Sequence, residues 1–150
     1  MQIFKKIDGE AIELIKYTLN IISTKPDVAI YVGTDSQNCK KVTKYVTVVA
    51  YRYGSRGVHF IYQLSSEKKI KDQFERLFKE AEMSIKIAEY LKSKSISVFA
   101  IDLDYNKNKK FESNKLVTAT RGWCESLGYK VIIKPDEKVA TRAADMIVNK

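Results

Sequence analysis

The chain has 150 residues, 45% of them hydrophobic, which leaves room for one domain with a real core and none for a second. Lys and Arg number 27 against 18 Asp and Glu, a formal net charge of +9 whose field favours polyanions such as nucleic acid. No apolar run approaches membrane-spanning length, and Cys39 and Cys124 stand far apart without C-x-x-C or Cys/His spacing. A spanning helix, a disulfide framework and a zinc site are thereby excluded, and a soluble cytoplasmic protein with reduced thiols is expected.

After a short lead-in, Ile12, Ile15 and Leu19 recur at helical spacing and predict an amphipathic helix over Asp8 to Ile22, broken by S-T-K-P-D. Val28–Thr34 predicts a first strand that closes on Asp35. The β-branched and aromatic run Thr43–Tyr53 predicts a second, and Val58–Leu64 a third, joined to it across G-S-R-G. From Asp72 to Leu91 the stripe Phe74, Leu77, Phe78, Ala81, Ile85, Ala88 and Leu91 marks a helix lying on a sheet. The run I-S-V-F-A-I-D-L-D predicts a fourth strand. A Lys- and Asn-rich loop, Tyr105 to Lys110, then leads to a helix over Glu112 to Leu127, stopped by Gly128. Tyr129–Lys134 reads as a fifth strand and Glu137 to Val148 as a closing helix. Hairpin-linked leading strands followed by helix-linked ones predict an α/β fold. Its sheet is five-stranded and mixed, the first three strands antiparallel, with helices on both faces and an extra N-terminal helix.

Carboxylates stand at the ends and flanks of these elements. Asp35 closes the first strand and Asp102 the fourth. Period-two alternation puts Asp102 on one face with Ala100 and Asp104. Glu80 and Glu82 lie about 100° to either side of Ala81, so each borders the buried stripe. Asp145 falls in the closing helix. Carboxylates a few ångströms apart repel one another unless a divalent cation neutralises them, and a site without His or Cys suits Mg2+ or Mn2+. Two such ions would activate water and stabilise a leaving oxygen in phosphodiester cleavage.

The order of elements, together with G-T-D-S-Q, K-E-A-E-M-S-I, I-D-L-D, K-F-E-S-N-K-L and K-P-D followed by A-T-R-A-A-D, resembles the ribonuclease H-like superfamily. More narrowly, these motifs look like those of a bacterial ribonuclease H-like family, and the resemblance covers nearly the whole chain. It implies a nuclease with a two-metal carboxylate site of Asp35, Glu82, Asp102 and Asp145, with Glu80, Asp104 and Asp136 as alternates. The one histidine, His59, lies in the third strand, away from the last helix where such enzymes often carry one, and reads as structural.

Lys107, Lys109 and Lys110 follow Asp102 between Tyr105 and Phe111, a setting suited to phosphate contact and base stacking. Lys134 and Arg142 add charge near Asp145, and Gln37 is placed to touch a substrate. RNA, DNA or their hybrid is the expected partner. A catalytically silent nucleic-acid-binding module on the same fold is the alternative. An actin-like or sugar-kinase-like ATPase is disfavoured by the six glycines and by the lack of D-x-G after the first strand.

Overall fold

The computed structural model describes residues 1–103, 111–133 and 147. In chain order the elements are β1 (Ile3–Lys5), β2 (Ala11–Glu13), α1 (Leu14–Thr24), β3 (Ala29–Cys39), β4 (Val42–Arg52), β5 (Val58–Lys68), α2 (Gln73–Ser93), β6 (Ala100–Leu103), α3 (Phe111–Ser126) and β7 (Lys130–Ile133). They form one mixed sheet in the order β2-β1-β5-β4-β3-β6-β7. The leading long strands β3, β4 and β5 pair antiparallel as expected, and β6 joins β3, and β7 joins β6, in parallel.

The sheet therefore has seven strands, and the expected five fall short by β1 and β2. Three-residue strands are too short to show a period of two, and Ile12 shares the helical spacing of Ile15 and Leu19. The dipeptide Asp8-Gly9 is a turn instead. Gly9 takes φ 92°, and Lys6 bonds back to Glu10 through its backbone N–H at 2.9 Å and its ammonium at 2.8 Å. The helix starts only at Leu14, where the Glu13 carboxylate accepts the Lys16 N–H at 2.6 Å. Its buried side is Leu14 and Thr18, and Leu19 is exposed.

Two further strands outrun their expected ends. The polar segment T-D-S-Q-N signals a loop, yet β3 runs on to Cys39 because alternate side chains find partners on the helix side of the sheet. Thr34 Oγ1 meets Ser84 Oγ at 2.7 Å, the Ser36 hydroxyl donates to Glu80, and Thr43 donates to Asn38 Oδ1 at 2.6 Å. Asp35 consequently sits in the interior of a strand, opposite Val46, not at its tip. The third long strand likewise continues through Q-L-S-S-E-K to Lys68. β6 is shorter than its apolar run, although Phe99 N–H still donates to the Ile30 carbonyl at 2.8 Å.

The main core joins α1, α2 and α3 to one sheet face. Leu14, Ile30, Val32, Val49, Tyr51, Ile61, Ala81, Ala88, Leu91, Ile101 and Cys124 are buried there, and each large apolar side chain contributes about 1.5–3 kcal/mol on burial. Phe78 departs from the expected stripe by lying at the surface, stacked on Trp123 of α3 at 5.4 Å. Tyr31, Val46, Val48, Ala50 and Ala100 form a second cluster on the other face, where Ile147 packs. The expected closing helix, Glu137 to Val148, lies outside the described residues apart from Ile147. Helices on both faces are expected from that helix, since α1, α2 and α3 share one cluster.

His59 has a structural role, as its strand position implies. Its ring stacks on Tyr51 at 5.9 Å and shares a hydrogen bond with the Tyr17 hydroxyl. Burial, reinforced by the Lys6 ammonium, holds its pKa below the ordinary 6.5. The unfolded chain then binds a proton that the folded chain resists. Stability from this group is complete above about pH 6.5 and is lost as pH falls through the lowered folded value. Thermal melts between pH 7 and pH 5 should show a larger fall for the wild type than for His59→Gln, and parallel falls would refute this account.

Candidate carboxylate site

Strand β3 is the only long strand with an antiparallel neighbour on one side and a parallel one on the other among the described residues, and β6 ends beside its middle. The last pair between them is Gly33 with Asp102. Asp35 lies two residues further along β3, so alternation puts it on the same face as Gly33 and Asp102. One strand across and two residues along place the two Cα atoms about 8 Å apart, close enough for their carboxylates to share a cation. Both are buried, Asp35 at 8% and Asp102 at 1% exposure. Their face is that of the second cluster, opposite to α2.

Past the end of β6, β3 has lost its parallel neighbour. The Ile30 carbonyl accepts from Phe99, so the even-numbered residues of β3 direct their backbone groups to that side. At Ser36 the N–H donates instead to Asp35 Oδ1, at 2.9 Å, which orients that carboxylate. The Ser36 side chain points to the opposite face and donates to the buried Glu80 carboxylate. One residue therefore touches both acids. Tyr45, its ladder partner, is fully buried on the Glu80 side. Burial pushes its phenol up, Glu67 and Glu80 add to that, and Lys79 and Arg76 oppose it.

The two helix acids differ sharply. Glu80 is 5% exposed and held at β3, whereas the Glu82 side chain is 34% exposed and pairs with Lys79 at 3.2 Å and Lys86 at 3.9 Å. Gln37 is exposed on the Asp35 face, paired in the ladder with Lys44. Asp104, Asp136, Asp145, Lys107, Lys109, Lys110, Lys134 and Arg142 lie outside the described residues. Among the described residues no three Asp, Glu, His or Cys side chains gather into a metal-binding group. Asp35 and Asp102 share a face of adjacent strands, and Ser36 links Asp35 to Glu80.

A family model described as Ribonuclease H-like matches residues 11–149. The chain belongs to the ribonuclease H-like family. No curated protein and no solved structure gives a match. The matched span begins at β2 and includes every ribonuclease H-like carboxylate considered above. Ser36 is the contact that sequence reasoning misplaces, because a polar residue after an apolar run signals a turn. No periodic signal finds it, since T-D-S-Q-N is polar at every position. No helix among the described residues is long and apolar enough to cross a membrane.

Proposed function

We propose that this chain is a divalent-metal-dependent nuclease that hydrolyses phosphodiester bonds of RNA, DNA or their hybrid. The observation that carries the reading is the buried pair Asp35 and Asp102, on adjacent parallel strands and one face, where β6 ends beside β3. Clefts beyond the carboxyl ends of parallel strands, where the chain changes direction across the sheet, are the usual ligand sites of α/β sheets.

The donor set fits Mg2+ or Mn2+, two ions in all. Asp35 and Asp102 are hard oxygen donors buried on one sheet face, the ligand type that such ions take. Asp35, Asp102, Glu80 and Asp145 would hold the ions, Glu80 in preference to Glu82 because it is buried at β3. Asp104 and Asp136 would be outer ligands. Asp145 enters as the fourth member through the family resemblance, since the family match spans it. Bound metal supplies charge neutralisation and an activated water. The chain's own residues do the positioning. Ser36 fixes Asp35 through its N–H and Glu80 through its hydroxyl, and the Thr34–Ser84 bond fixes α2 on β3.

Gln37, with Lys107, Lys109, Lys110, Lys134 and Arg142, would hold the nucleic acid. Cys39 and Cys124 are free thiols, and burial pushes the Cys124 thiol up to about 11, which leaves it unreactive. Incubation of the purified protein with labelled hybrid, RNA and DNA in Mg2+ or Mn2+ should give cleavage that EDTA stops. Salt-dependent binding with no metal-dependent cleavage would select the silent binding module.

A further inference from the structure

We infer that the lysine-rich end of the β3–β4 hairpin and of β5 is a phosphate-binding ramp that leads a nucleic-acid strand to Asp35 and Asp102. The inference rests on the nuclease reading only for the nature of the polyanion. Between Asp35 and Glu67 the chain contains no acidic residue at all. Three lysines of that stretch, Lys40, Lys41 and Lys44, gather at the hairpin end together with Lys68.

The ladder registers place them. Cys39 pairs with Val42 across a two-residue turn of Lys40 and Lys41, with Lys40 in the left-handed region at φ 50°. Gln37 pairs with Lys44 and Lys44 with Ser66, and Val42 pairs with Lys68. Asp35, Gln37, Lys44 and Lys68 therefore share one sheet face. Lys44 stands one step of two residues beyond Asp35 and Lys68 one further step, each step about 7 Å along the strands.

Nearby acids do not cancel this charge. Glu67 alternates to the opposite face, where it pairs with Lys79 at 3.6 Å. Asp72 caps α2 by accepting the Phe74 N–H at 3.2 Å, and Glu75 lies in its first turn, so that helix N-terminus is already compensated. A groove of about 560 Å3 there is lined by lysines together with Glu67, Asp72 and Glu75, a mixed surface on the α2 side that is separate from the ramp. Lys69 reaches the hairpin turn, its ammonium donating to the Lys40 carbonyl at 3.0 Å. The complementarity is to a polyanion's backbone.

The test uses full-length Asp35→Asn protein, which leaves the substrate intact, and fluorescence anisotropy with labelled single-stranded RNA and RNA/DNA hybrid from 50 to 200 mM KCl. Adding Lys44→Glu and Lys68→Glu should weaken binding at least about tenfold at the lowest salt, and should flatten the slope of log K against log salt by roughly 0.7–0.9 per lysine. Lys16→Glu with Lys25→Glu, on and just after α1, is the control. An equal loss in the control would overturn the ramp, as would an unchanged slope in the Lys44/Lys68 variant. A wild-type protein that cleaves with a KM indifferent to Lys44 and Lys68 would sink the ramp alone. Lysine-dependent binding without cleavage would sink the nuclease reading and uphold the ramp.

Discussion

Asp35→Asn and Asp102→Asn should each reduce metal-dependent cleavage by roughly 10³-fold or more, without unfolding the protein. Each substitution removes one negative charge from a buried pair on one face of adjacent strands. The amide oxygen that Asp35→Asn introduces can still accept the Ser36 N–H, which Asp35 accepts at 2.9 Å, so the local backbone keeps its partner. Without metal, loss of like-charge repulsion offsets the change, and the melting temperature in EDTA should be no lower than wild type. With metal the order reverses. A ligand at a hundredfold excess over its Kd stabilises by about 2.7 kcal/mol, which for a chain of this size is a rise of several degrees. The wild type should show that rise in Mn2+ and neither variant should. Wild-type cleavage by Asp35→Asn would remove the pair from the chemistry. An undiminished Mn2+ shift in both variants would remove the metal from the pair.

The sequence carries the parts of this fold that repeat over many residues and conceals those that do not. The 21-residue α2 is legible from its apolar spacing, and β3 to β5 from β-branched alternation. β1 and β2, at three residues each, are not, because so short a pair shows no period and is fixed by pairing, Phe4 with Ile12 between them and Lys5 with Tyr62 onto β5. The placement of Asp35 shows the same limit. Read alone, T-D-S-Q-N is polar and ends a strand. In the fold, Thr34, Ser36 and Asn38 are satisfied by Ser84, Glu80 and Thr43, partners that lie 50, 44 and 5 positions away. Motif order points to the family, and the ladder register puts Asp35 and Asp102 on one face of neighbouring strands. Motif order alone does not separate Glu80 from Glu82, since both border the same apolar stripe and only contact with β3 distinguishes them.

That distinction yields the second large effect. Glu80→Gln should lower cleavage by roughly 10²-fold, and Glu82→Gln should leave it within about twofold. The reason lies in matched spacings. Ser84 meets Thr34 and Glu80 meets Ser36, so four residues of helix, about 6 Å, run alongside two residues of strand, about 6.6 Å. This registry brings the Glu80 carboxylate to the residue that follows Asp35. Glu82, two positions on, is turned about 160° away around the helix and is engaged with Lys79 and Lys86 at the surface. Ser36→Ala tests the same link from the strand side. It keeps the N–H that orients Asp35 and deletes the hydroxyl that holds Glu80, so Mn2+ affinity should weaken by about 10-fold while Ser36→Thr restores it. A purely structural role for Ser36 would lower the melting temperature in EDTA without moving the Mn2+ titration. Loss of cleavage in Glu82→Gln with Glu80→Gln unaffected would move the helix ligand outward and break the proposed chain from Asp35 through Ser36 to α2.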